Sequence, residues 1–230
     1  MKIHRFYSQD KLAEKNTISV TSENLINQFK NVFRFNKGDK VILFDGTGYD
    51  FLCAIDNIDK EQITLLKEDT IKNTVLPQKE TYLFVSLVKK DNFEWIAQKA
   101  TELGVSHIIP IVSDRSEKKD LNIERINKII IEAAEQSGRG TLPVLCAVTD
   151  LASAIENYSY VKSIAWDPNA TKFVSQDIDI NLGVYIGPEG GWTTNELELF
   201  TQHGINIRSL GPQILRSETA VIAVISHLVF

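Results

Sequence analysis

Two short stretches in the C-terminal third carry the residues best suited to chemistry. The first, "GVYIGPEGGWTTNE" (183–196), ends an apolar β-rich run on Gly187, Pro188, Glu189, Gly190 and Gly191, then starts a helix. Pro188 stiffens this loop. The glycines admit positive φ and remove side-chain bulk, so backbone N–H and C=O groups can reach a ligand. The second, "LGPQILRSETA" (210–220), leaves another β-rich run through Leu210, Gly211 and Pro212 and enters a helix at Ser217, a good N-cap residue, followed by Glu218, Thr219 and Ala220. Leu210, Ile214 and Leu215 offer apolar walls, and Arg216 and Glu218 offer charge. Facing each other, the two loops would form an apolar pocket with convergent backbone polar groups, which suits an adenosine-containing ligand. Trp166-Asp167-Pro168, after a third apolar run, would line it from another side. Two ordinary strand-to-helix turns would use the same residue types. Neither stretch is a P-loop or a GxGxxG fingerprint.

Such loops must be placed by a parallel sheet, since open α/β sheets bind ligands at the C-terminal ends of their strands. From residue 79 on, the pattern supplies one. "TYLFVSLV", "HIIPIVS", "PVLCAVT", "VKSIAW", "LGVYIG" and "INIRSLG" read as strands. "KDNFEWIAQKATELGV", "NIERINKIIIEAAEQSG", "DLASAIENY", "TTNELELFTQHG" and "SETAVIAVISHLVF" read as helices between and after them. Asp150 caps the third of these helices, and Thr-Thr-Asn-Glu opens the fourth. Residues 1–72 differ. "SENLINQFKNVFRF" has helical spacing with Ser22 as its cap. Val41–Phe44, Tyr49–Ile55 and Ile63–Leu66 are short strands joined by tight turns, as in a small β-barrel. Residues 73–78, with neither periodicity and with Pro77, form the linker. The expected domains are therefore 1–72, a small barrel, and 79–230, an α/β domain.

Composition is that of a soluble globular chain with a real core: 43% hydrophobic and 24% charged residues. The longest apolar run is shorter than a membrane span, and the N-terminus has no signal-peptide core. Cys53 and Cys146 are read as free thiols of a cytoplasmic protein. His4, His107, His203 and His227 lack metal-ligand spacing, so no metal is expected. Net charge is −5, but residues 1–40 hold eight Lys/Arg against four Asp/Glu, which leaves the remainder at −9. A basic N-terminal part on an acidic body is what a polyanion-binding segment gives; chance clustering on a solvated face gives it too.

"IGPEGGWTTNE" with "LGPQILRSETA" resembles the bacterial 16S rRNA (uracil-N3) methyltransferases of the SPOUT class. "FEWIAQKATELGVSHIIPIVSDRS", "EAAEQSGR" and "NVFRFNKGDKVILFDGTGYDF" extend the resemblance over nearly the whole chain in the right order. It implies a SPOUT α/β trefoil-knot methyltransferase domain preceded by a PUA-like β-barrel RNA-binding domain. It further implies S-adenosylmethionine as cofactor, a homodimer whose sites are completed across the dimer, and methylation of N3 of a uridine in 16S rRNA of the small ribosomal subunit. The family has Arg where this chain has Gln213, which bears on that side chain more than on cofactor binding.

Within that resemblance the residues take roles. Trp166, Gly187, Pro188, Glu189, Gly190 and Gly191 form one cofactor-binding group. Leu210, Gly211, Ile214, Leu215, Arg216, Thr219 and Ala220 form the other. Uracil N3 must lose its proton, to a base or with help from cations that stabilise the anion. Arg139, after a helix stop, and Arg216 are the candidates for phosphate or the uracil oxygens. Glu218 is the candidate base, or else it holds Arg216. Glu189 accepts from cofactor hydroxyls or organises its loop through backbone N–H groups. Arg5, Lys30, Arg34, Lys37 and Lys40 are expected to bind RNA, with Lys89 and Lys90 further candidates. Phe6 and Tyr7 are read as barrel core, with base stacking as the other option. A non-catalytic RNA-binding or ribosome-assembly dimer, keeping the α/β half only to dimerise, is the alternative function.

Overall fold

The computed structural model describes residues 3–75, 79–116, 121–173 and 181–229. Contacts divide the chain into two units. One comprises Met1–Leu76 with Ala134–Leu142, the other Pro77–Ala133 with Pro143–Phe230. The linker expected at 73–78 falls partly outside the described residues, which stop at 75.

The first unit is a barrel-like five-stranded sheet ordered β1-β3-β4-β5-β2, from β1 (His4–Tyr7), β2 (Thr17–Val20), β3 (Lys40–Phe44), β4 (Tyr49–Ile58) and β5 (Ile63–Lys72). β1 and β3 pair in parallel and the others antiparallel. Alternation drives it: Phe51, Cys53 and Ile55 of β4 point inward, onto Phe6, Leu43 and Leu65. The strands are longer than expected, because irregular register at Leu52/Cys53 and Ile55/Asn57 lets β4 and β5 bend and keep pairing to Lys72. The expected single helix is instead α1 (Glu23–Asn27) followed by a π-helical turn, Gln28–Val32, closed by the bond from Phe33 N–H to Gln28 O at 2.9 Å. Ser22 takes the N-cap position, but its side chain makes no cap bond. Phe6 is core, 2% exposed, with Phe29 at 4.6 Å.

The second unit contains an all-parallel sheet ordered β12-β10-β11-β6-β7-β8. Its strands are β6 (Thr81–Ser86), β7 (His107–Val112), β8 (Val144–Leu145), β10 (Lys162–Trp166), β11 (Leu182–Ile186) and β12 (Asn206–Arg208), with β9 (Thr149–Asp150) also on β7. β6 and β11 are buried at every residue, which is why they read as unbroken apolar runs. The strand expected over "PVLCAVT" is two short pieces. Its end is taken by Asp150, whose carboxylate accepts Ser153 N–H at 2.8 Å and caps α4 (Leu151–Asn157). The remaining helices are α2 (Lys90–Glu102), α3 (Ile123–Ser137), α5 (Thr194–Gln202) and α6 (Ser217–Val229).

After β12 the chain is laced to the segment that leaves β10. Ser209 N–H donates to Thr171 O at 2.9 Å, and Phe173 N–H donates to Ser209 O at 2.8 Å. The path that would close the expected knot includes 174–180, outside the described residues. Among the described residues, no helix is long and apolar enough to cross a membrane, no cluster of His, Cys, Asp and Glu could hold a metal, and both cysteines are free.

Candidate functional site

β11 delivers the glycine loop at its C-terminal end. Gly191 N–H donates to Pro188 O at 2.9 Å, closing a turn that Gly191 completes at φ +66. The loop stops at α5, where Thr193 and Glu196 form the expected capping box. Glu196 also accepts Asp114 N–H at 2.9 Å, from the turn after β7.

Two of the glycines make room for this chain's own side chains. A Cβ on Gly187 would lie 3.1 Å from Trp192, whose indole N–H donates to Trp166 O at 3.0 Å. A Cβ on Gly190 would lie 3.1 Å from Arg115 Cδ, and Arg115 Nη1 donates to Gly190 O at 2.6 Å. The second loop begins at Ser209, whose hydroxyl donates to Gly211 O and Pro168 O and accepts from Gly211 N–H. Ser217 is not a cap: it lies inside α6, and its hydroxyl donates to Gly187 O at 2.8 Å. That bond ties the two loops together.

Between them lies a cavity of about 310 Å³. Trp166, Gly187, Pro188, Glu189, Gly190, Gly191, Leu210, Gly211, Ile214, Leu215 and Ala220 line it as expected; Arg216 and Thr219 do not. Ile214, expected as a wall, is 86% exposed and stands at the mouth. Sequence reasoning missed Arg115, Trp192, Arg208 and Ser209, which line the cavity from other elements; no spacing signal joins them to the glycine motifs. The N–H groups of Glu189, Gly190, Leu210 and Leu215 have no acceptor among the described residues. They are the donors a ligand can use. Among the described residues Glu189 does not bond backbone N–H groups; its carboxylate accepts from Asn92 at 3.5 Å.

Of the three residues singled out for proton and anion chemistry, Arg139 belongs to the first unit and Arg216 and Glu218 to the second. Arg139 is 2% exposed; burial lowers its pKa to about 10, and its carbonyl accepts from Arg5 at 3.0 Å. Arg216 is exposed. Glu218 is 7% exposed, forms no ion pair with Arg216, and its Oε2 has no partner. A buried acceptor left unmatched is costly and marks a place where a donor is expected.

The basic residues of the first unit also separate. Arg5 is not a surface group: it forms a bidentate pair with Asp50, lies over Phe44 with its guanidinium carbon 5.0 Å from the ring centroid, and is 13% exposed. Lys37 and Lys40 are exposed but paired with Asp56 and Glu68, and Lys30 donates to Asp59 O at 2.6 Å. Arg34 is exposed, is in none of these pairs, and holds φ +55, unusual for a residue with a Cβ. In the second unit Lys89 is the N-cap of α2, and Lys90 lies 3.8 Å from Glu94.

A family described as an RNA methyltransferase domain matches residues 75–229, and one described as an RNA methyltransferase PUA domain matches residues 29–68. The Ribosomal RNA small subunit methyltransferase E of Rickettsia conorii is 32% identical over 99% of this chain and 96% of its own. This chain belongs to the ribosomal RNA small subunit methyltransferase E family. The Bacillus subtilis member is 31% identical over 96% of this chain and 93% of its own. The crystal structure of the Neisseria gonorrhoeae methyltransferase E, bound to S-adenosyl methionine, superposes with a TM-score of 0.91 at 28% identity, covering 98% of this chain and 96% of that one. The expected fold class, a SPOUT-type α/β domain after a small PUA-like barrel, is the one this methyltransferase E family member has. The cavity and both glycine loops fall inside the methyltransferase match.

Proposed function

We propose that this chain binds S-adenosylmethionine in the cavity between the two glycine loops and methylates N3 of a uridine in 16S rRNA of the small ribosomal subunit, as a cytoplasmic homodimer without a metal. One observation carries the reading: the Ser217–Gly187 bond closes two loops, each with spare backbone N–H groups, around a single cavity. Its volume, about 310 Å³, sits at the lower end of ligand sites. The Neisseria gonorrhoeae relative holds the same cofactor.

When bound, the cofactor supplies a methyl group already activated on a sulfonium. This chain's part is to orient, to exclude water and to handle one proton. The free N–H groups of Glu189, Gly190, Leu210 and Leu215 fix the cofactor, and Trp166 and Ala220 wall it. We assign Glu218, whose Oε2 is unmatched, as the acceptor for the uracil N3 proton. Arg139 and Arg216 are assigned to the uracil oxygens and the RNA backbone. Neither Arg216 nor Glu218 lines the cavity of its own chain, which fits a site completed by a second copy.

The test has two parts. Calorimetry with S-adenosylmethionine should show one site per chain; no binding would favour the alternative, a non-catalytic ribosome-assembly dimer. Primer extension on small-subunit rRNA from cells lacking this protein should lose one stop, because a methyl on N3 blocks the pairing edge. If every stop persists, the uridine assignment is wrong.

A further inference from the structure

The turn after β7 bears directly on the glycine loop. Ser113-Asp114-Arg115-Ser116 is fixed internally: Ser113 N–H donates to Ser116 Oγ at 3.0 Å, and Ser113 Oγ donates to Ser86 Oγ at 3.0 Å. It is also fixed to the start of α5, where Asp114 N–H meets Glu196 and Thr193 Oγ1 donates to Asp114 at 2.8 Å. From this anchored base Arg115 reaches across the loop. Nη1 donates to Gly190 O at 2.6 Å and approaches Trp192 O at 3.4 Å, while the stem lies over the Gly190 face, where a Cβ would come within 3.3 Å of Arg115 Cβ.

The peptide held this way is the one between Gly190 and Gly191. A Gly–Gly peptide is the easiest in a chain to turn over, because neither flanking residue carries a Cβ to oppose it. Turned over, its C=O and N–H would exchange sides and lose the partners they have in the structure. In the structure both its ends are engaged: Gly191 N–H on Pro188 O, Gly190 O on a guanidinium. The charge-assisted bond is the stronger of the two.

We propose that Arg115 is a positioning residue that locks the Gly190–Gly191 peptide in one orientation and so holds the glycine loop in the shape that bounds the cavity; the ligand half rests on the cofactor reading above. Preorganisation of this kind raises affinity by removing an ordering cost from binding.

Arg115→Met keeps the apolar stem and removes the donors; Arg115→Lys restores one. Amide hydrogen exchange of the full-length protein without ligand should show Gly191 less protected in R115M, with the amides of β6 and β11 unchanged. Calorimetry should show S-adenosylmethionine binding about tenfold weaker in R115M, the effect of one charge-assisted bond, and R115K recovering most of it at an unchanged melting temperature. Unchanged Gly191 exchange in R115M overturns the lock. Altered exchange with unchanged affinity overturns the claim that the lock serves the ligand. If the unsubstituted protein binds no S-adenosylmethionine, the cofactor reading fails, and Gly191 exchange still decides the lock.

Discussion

At the scale of single residues, the glycine motif holds two kinds of glycine that look alike in sequence. Gly191 answers a backbone need, a positive φ, whereas Gly187 and Gly190 answer packing needs set by Trp192 and Arg115. Gly190→Val should therefore act by displacing Arg115. We expect S-adenosylmethionine affinity to fall at least tenfold, roughly the cost of forcing a branched side chain into a filled space, with the melting temperature within a few degrees of the unsubstituted protein. Calorimetry and a thermal scan check both; unchanged affinity would remove Gly190 from the site. The same scale separates Arg34 from its neighbours. Lys37 and Lys40 must break ion pairs before they can meet a phosphate, and Arg34 holds no such pair among those described. Arg34→Ala should lower the salt slope of rRNA-fragment binding by about 0.7, and Lys37→Ala should lower it less. Equal slopes for the two variants would end the distinction.

At the scale of elements, strands and helices were legible where burial is uniform or strictly periodic. β6 and β11 were plain, and so was the capping box of α5. What periodicity could not show was the π-helical turn at Gln28–Val32 or the break between β8 and β9, since both are set by what packs against them. The β3–β4 turn offers a test by pH. Asp45, 4% exposed, accepts from Leu12 N–H at 2.9 Å, from Thr47 N–H at 3.2 Å and from the Thr47 hydroxyl. Burial pushes its pKa up, but these bonds together outweigh that and leave it below the ordinary 3.8. A carboxylate with a depressed folded pKa stabilises above its unfolded value and loses that stability as pH falls through the folded one. Chemical denaturation of the unsubstituted protein should thus lose part of its stability on going from pH 5 to below about 3.8. Asp45→Asn should be less stable at pH 7 and should lose less over that range. An identical pH profile for the two proteins would exclude Asp45 as the cause.

At the scale of the whole molecule, Arg216 and Glu218 are not among the residues that line the cavity of their own chain, although Ser217 between them is, which fits the proposal of a site completed by a second copy. Sedimentation equilibrium should give twice the 25.9 kDa of one chain. A single-chain mass at micromolar concentration would remove the homodimer. Apolar periodicity, with glycine and proline at strand ends, is enough to read the barrel-plus-α/β architecture, the parallel sheet and the loops that line the cavity. That residues 134–142 pack with the N-terminal unit, that Arg5 is an internal partner of Asp50, and that Arg115 reaches the glycine loop emerges only once the chain is folded. The physical reason is the same each time. Periodicity records whether a side chain is buried, whereas a contact between residues 75 or 134 positions apart depends on where the chain returns.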